Sequence, residues 1–237
     1  MLGVKSVNVD RTVLFLQGLQ HKDGDFDSVK VAFYVIQSLS HLGSSPTRPA
    51  NPLVHSFDVI LRDLEHPSTY VEIVSEIENL HLAIELIHKL NLPINVEKVT
   101  KQVLSLRNSD GSFGIRKHSR IASTYHALKI LKILNHDNKI LEEMLRWIRC
   151  CEVPSGGFVS SPEASTSYME DTYFGVKALE VLEESPKYPK ETLKYIVKFQ
   201  NPNGGFRRSI FLGISDFEST FHALSCIKTI LSFPMRW

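Results

Sequence analysis

The chain has 237 residues, 43% of them hydrophobic, and a formal net charge of +1. That is enough apolar material for a large core and too little positive charge to argue for binding nucleic acid or an acidic membrane. No apolar run reaches membrane-spanning length, and the first residues lack the charge, apolar stretch and cleavage site of a signal peptide.

The first repeat covers residues 10–43. Val13, Leu14, Leu16 and Leu19 supply a first helix that ends near Gln20. A second helix follows through Val31–Ile36 and Leu39, apolar on most sides as befits a helix packed all round. Residues 44–52 form a Pro-rich connector. The second repeat spans 53–92, with Val59, Ile60 and Leu64 marking one helix and Ile77, Leu80, Ala83, Ile84 and Ile87 the other. The third, fourth and fifth repeats span 94–135, 139–184 and 188–233. In the fifth, Leu193, Ile196 and Val197 give the first stripe, and Ala223, Leu224, Ile227, Ile230 and Leu231 the second. Strand signals are nearly absent, so the class is all-α.

One turn template unites these repeats: a polar residue, three residues, Gly, any residue, Phe. It occurs at Gln20–Phe26, Arg107–Phe113, Glu152–Phe158 and Gln200–Phe206. The later aromatics lie 45 and 48 residues apart, and the first gap of 87 residues leaves room for a degenerate copy at 65–70. Periods of this size mark stacked helical arrays. Gly accepts positive φ at a helix end, and Asp, Asn, Ser and Pro around it favour a turn over more helix. A second anchor runs in step: Thr124, Thr172 and Thr220 are spaced by 48, each followed by an aromatic residue.

The Gly-x-Phe turns, and the helix starts of the type Asp216-Phe-Glu-Ser-Thr-Phe-His-Ala-Leu224, resemble the repeat family shared by protein prenyltransferase β subunits and squalene- or terpene-cyclising enzymes. The resemblance covers essentially the whole chain. It implies one domain, 1–237, of about five helical hairpins in an α/α toroid or incomplete toroid, the second helix of each hairpin forming an inner ring around an apolar cavity. HEAT-like open solenoids have a similar period and are the alternative architecture. The cyclase Asp-x-Asp-Asp acid is missing; Asp23-Gly-Asp-Phe-Asp27 belongs to a repeat turn. Prenyltransferases hold zinc with Asp-x-Cys and His at successive inner-helix starts, positions that fall here at Met169, Asp171 and Ser219. No cofactor and no metal site are therefore expected, zinc being the one ion the resemblance brings into question.

Inner-helix starts are where such a fold displays chemistry. Asp171, Asp216 and Glu218 are the candidate catalytic acids, although helix N-termini also favour Asp, Glu and Ser for capping alone. Arg116, Lys117, His118 and Arg120 follow the third turn, and Arg207 and Arg208 hold the equivalent place in the fifth. These are the candidate ligand-binding residues, since two basic clusters on one rim suit a diphosphate, with ordinary solvated loop charge as the competing reading. His126 and His222 share one repeat position that Phe174 takes in the fourth, which argues for packing. The adjacent Cys150 and Cys151, with Cys226, fit no disulfide framework, and reduced thiols in a cytoplasmic protein are the expectation. Two functions remain open. One is a prenyltransferase-like or terpenoid-cyclase-like protein binding an isoprenoid diphosphate or other apolar ligand. The other is a non-catalytic toroidal scaffold or interaction module, completed by a second protein subunit or by self-association. Neither involves nucleic acid.

Overall fold

The computed structural model describes residues 8–49, 72–114 and 119–233, with the backbone alone for 72–76. The described residues form nine helices and no strand: α1 (Val9–Gln17), α2 (Val29–His41), α3 (Glu72–Lys89), α4 (Val96–Ser105), α5 (Arg120–Ile133), α6 (Asn138–Cys150), α7 (Met169–Val181), α8 (Pro189–Val197) and α9 (Phe217–Ser232). The degenerate second turn and the helix expected around Val59 lie outside the described residues.

The chain divides into two compact units, Met1–Val96 and Glu97–Trp237. In the first, Asn8 and Ser28 cap α1 and α2 by accepting the backbone N–H three residues on. Phe26, Ala32, Val35, Ile36, Leu39 and Leu86 form its core, with Val13, Leu16 and Leu19 packed against it. Leu14, expected inside, is exposed.

The second unit holds the three regular repeats, and their two sequence anchors meet in one hydrogen bond. The Phe113 N–H donates to Thr124 Oγ1 at 3.0 Å, Phe158 N–H to Thr172 Oγ1 at 3.3 Å, and Phe206 N–H to Thr220 Oγ1 at 3.0 Å. Each turn aromatic is thereby pinned to the first turn of its own inner helix. The polar residue that opens each turn forms an antiparallel bridge with that aromatic: Arg107 with Phe113, Glu152 with Phe158, Gln200 with Phe206. Each of these rings is buried.

The turn glycines carry positive φ, +90° at Gly111, +105° at Gly156 and +85° at Gly204. A Cβ at Gly156 would also stand 2.2 Å from the Glu191 carbonyl oxygen, and one at Gly111 2.9 Å from that of Glu143, because the next outer helix passes directly over the turn. At Gly204 no atom stands within 4 Å. Buried polar side chains on the inner helices include Arg120, Ser123, Thr124 and His126 on α5, Asp171 and Thr172 on α7, and Ser219, His222 and Thr229 on α9.

The inner helices α5, α7 and α9 pack side by side. An aromatic chain crosses all three: Tyr125 meets Phe174 at 5.5 Å, Phe174 meets His126 at 5.4 Å, and Tyr173 stacks on His222 at 4.1 Å and reaches Phe221 at 6.0 Å. His126 and His222 are buried packing members of this chain. The fifth-repeat stripe differs from the sequence expectation. Ala223, Cys226 and Ile230 are buried, whereas Val197, Leu224 and Leu231 are more than half exposed. Periodicity identifies apolar positions, but a position is buried only where a neighbouring element covers it.

Candidate functional site

The segments after the fourth and fifth turns do more than connect. The Ser160 carbonyl accepts the N–H of Ile121 at 3.0 Å, and the Arg208 carbonyl accepts that of Met169 at 3.0 Å. The fourth and fifth repeats thus each satisfy a backbone donor in the first turn of the preceding inner helix, where four N–H groups lack intrahelical partners. The starts of α5 and α7 and these two segments enclose a cleft of about 700 Å³, lined by Arg120, Glu163, Tyr168, Glu170, Asp171 and Arg208, with serines between them.

Asp171 is the least exposed acid of the cleft, 1% accessible. One carboxylate oxygen accepts from Ser119 Oγ at 3.0 Å and the other from the Tyr168 backbone N–H at 3.2 Å. Loss of hydration outweighs those two bonds, and its carboxyl is pushed up to about 6. In the other two repeats this position is Ser123 and Ser219. The carboxyl is thus an exception to the repeat, set into a polar cleft and poised to exchange a proton near neutrality.

Arg120 is buried at the cleft wall. It pairs with Asp110 at 2.7 Å and Glu163 at 2.8 Å, donates to Ser112 Oγ at 3.2 Å, and lies over the Trp147 ring at 5.2 Å. Burial works against ionised Asp110, but bonds from Ser112 and Arg120 prevail and hold its carboxyl below the usual range. Arg208 grips Glu170 with two 2.6 Å bonds and covers the Tyr168 ring at 4.8 Å. Its own side chain remains 62% exposed to the cleft and solvent.

The other candidates stand apart from this cleft. Asp216 caps α9, accepting from Ser219 N–H at 2.6 Å and Ser219 Oγ at 2.8 Å. Glu218 is exposed on the first turn of α9. Arg207 turns back onto the Ile210 carbonyl at 2.9 Å, with its Nε buried and unbonded. Arg116, Lys117 and His118 lie outside the described residues. Sequence reasoning also places Glu170 beside Asp171 at an inner-helix start, and it passed over Ser119, Tyr168 and Glu163 as cleft members. The available signal was the break in the repeat at Asp171 and the place of Glu170 beside it.

The residues at the zinc positions do not fit that ion. Met169 is buried, both Asp171 oxygens already accept hydrogen bonds, and the Ser219 hydroxyl is turned to Asp216. Among the described residues no group of three or more His, Cys, Asp or Glu side chains is placed to hold a metal. Burial raises the thiols of Cys151 and Cys226 far above the ordinary range, so neither is a ready nucleophile.

The fold is similar to that of the type II terpene cyclase MstE from Scytonema, at 11% identity and a TM-score of 0.61, over 94% of this chain and 81% of that one. A variant of the same cyclase, in complex with its product merosterolic acid A, matches at 12% identity and 0.61, over 94% and 80%. Candida albicans protein geranylgeranyltransferase-I, complexed with GGPP, matches at 15% identity and 0.59, over 95% and 78%. A search of curated proteins finds no significant match. No helix among the described residues is long and apolar enough to cross a membrane. The family model for the prenyltransferase alpha-alpha toroid domain matches twice, at residues 2–118 and 115–234, and the chain belongs to that family.

Proposed function

We propose that this protein binds an isoprenoid, with the polar end of the ligand in the cleft at the starts of α5 and α7. The observation that carries the reading is Asp171, a carboxyl 1% exposed and pushed up to about 6, at the edge of a polar volume of about 700 Å³. Membership of the toroid family supports it, as do similar folds whose structures hold GGPP or a merosterolic acid. The aromatic faces of Tyr173 and Phe174, half-buried on α7, suit a prenyl tail. Asp171 would then hold a proton against the ligand's polar end, and Arg208, released from Glu170, would take an anionic head by paired hydrogen bonds. The reading needs no zinc. Three free thiols fit a reducing compartment and a cytoplasmic protein.

A second reading, a non-catalytic member of the family, rests on one observation. Both cleft arginines are already ion-paired, Arg120 twice and Arg208 bidentately, so a diphosphate must compete with Glu163 and Glu170.

Thermal-shift titration separates these readings. Geranylgeranyl diphosphate and geranylgeraniol are each added to the wild type, Asp171→Asn and Arg208→Ala. Stabilisation by the diphosphate that Arg208→Ala abolishes supports a diphosphate head. Equal stabilisation by the alcohol, altered by Asp171→Asn, supports a neutral head at the acid. No shift with either compound removes the isoprenoid reading and leaves the scaffold.

A further inference from the structure

Asp171 is held by a peptide group that is bonded on both of its sides. The N–H it accepts is that of Tyr168, and the carbonyl of the same peptide unit is that of Ser167. This carbonyl oxygen accepts the Tyr195 hydroxyl at 3.0 Å, while the N–H reaches the carboxylate at 3.2 Å. Phenol, peptide and acid therefore form one line of hydrogen bonds from the outer helix α8 to the inner helix α7. In such a line each bond polarises the next. A proton donated to the peptide oxygen draws electron density away from the N–H, which becomes a stronger donor to the carboxylate.

The surroundings fix both ends of this line. Ser167 Oγ lies 3.3 Å from Thr172 Oγ1, which holds the peptide against the start of α7. The Tyr195 ring lies against the fourth turn at Gly157, where φ is +82° and an added Cβ would stand 2.6 Å from the ring. The third turn has Ser112 at that place. Thr192, three residues before Tyr195, accepts the Gly157 N–H on its Oγ1 at 3.2 Å, so α8 is tied to the turn independently of the phenol.

The preceding repeat supplies a contrast. Trp147 holds the place of Tyr195, each standing eleven residues before its turn aromatic. There the inner helix carries Ser123 where α7 carries Asp171, and the Trp147 N–H donates to Asp110 at 3.2 Å instead. Of these two repeats, the phenol occurs in the one that faces a carboxyl.

We propose that Tyr195 is a positioning residue for Asp171, acting through the Ser167–Tyr168 peptide to orient and strengthen the N–H bond to its carboxylate. Tyr195 does not line the cleft. Burial holds its phenol above the ordinary value, against the bond to Ser167, so it stays a donor throughout the range in which Asp171 titrates. The titratable groups facing Asp171 among the described residues are Glu170 on its own helix, Arg208, Arg120 and Glu163 around the cleft, and Tyr168 and Cys151. All of these remain when the phenol is removed. The inference rests on Asp171 being the acid of the cleft, but it concerns the proton and not the ligand, so a failed ligand titration leaves it standing.

Carbon-13 NMR titration of the Asp171 carboxyl in the ligand-free full chain tests it, the signal being assigned by its loss in Asp171→Asn. Tyr195→Phe keeps the ring and removes the donor. A hydrogen bond to a carboxylate favours the charged form, so weakening it raises the midpoint. Cooperative strengthening of about 10–30% per bond implies a rise of about 0.3 of a pH unit, roughly a twofold gain in proton affinity. Thr192→Val removes a different bond between α8 and the same turn; it is expected to lower the melting temperature and leave the Asp171 midpoint in place. A midpoint that is unmoved or lowered in Tyr195→Phe overturns the proposal. An equal rise in both variants also overturns it, because Tyr195 would then act by packing alone.

Discussion

Thr124→Val tests whether the repeat is held by the bond between its two anchors. The substitution keeps the side-chain shape and removes the hydroxyl that accepts the Phe113 N–H at 3.0 Å. Both residues are fully buried, so no water can replace the acceptor. An orphaned buried donor costs about 1–3 kcal/mol. For a chain of this size that lowers the melting temperature by about 2–10 °C. Thr220→Val is the internal control. Thr220 is half-buried, and water can reach the Phe206 N–H more easily, so its loss should fall at the lower end. Differential scanning calorimetry of both variants gives the comparison, and amide exchange at Phe113 should speed up in Thr124→Val. The reasoning is refuted if Thr124→Val melts with the wild type, or if Thr220→Val costs more.

Three further outcomes follow from the same structure. Asp171 binds a proton in the folded chain that the unfolded chain releases between about pH 4 and 6, so it lowers stability as pH rises through that window, by about 3 kcal/mol in full. Relative to the wild type, Asp171→Asn should therefore gain stability from pH 4 to pH 7, and a flat difference in melting temperature across that range would rule this out. Gly175→Ala should destabilise by about 1–2 kcal/mol in chemical denaturation, because the new Cβ falls 2.3 Å from the Phe158 ring, and overpacking outweighs the better helix propensity; a more stable variant would contradict the packing. Arg120→Leu should cost about 2 kcal/mol, less than a fully buried pair, since the partner carboxylates of Asp110 and Glu163 are 41% and 73% exposed and can turn to water; unchanged stability in urea would show that the cluster contributes nothing.

The hairpins were legible because their turns impose local demands. Positive φ selects Gly at 111, 156 and 204, and the bond from Phe N–H to Thr fixes both anchors at one interval. The site was legible only in part. Asp171, Asp216 and Glu218 look alike as acids at helix starts, and only burial distinguishes the first from the exposed cap and its neighbour. Arg120 reads as a loop cation, yet its partners come from the third turn and the fourth loop, ten residues back and 43 ahead. Those meetings depend on how the loops run, which no short motif encodes. Leu224 and Leu231 belong to a helical stripe by period, and their exposure depends on the neighbour that α9 does not have within the second compact unit.

Native mass spectrometry of gently purified protein tests the isoprenoid reading most directly. The account predicts a bound mass of prenyl size, released on collisional activation and reduced in occupancy in Asp171→Asn or Arg208→Ala. A protein that carries no such mass, and takes none up from added geranylgeraniol or geranylgeranyl diphosphate, would contradict it.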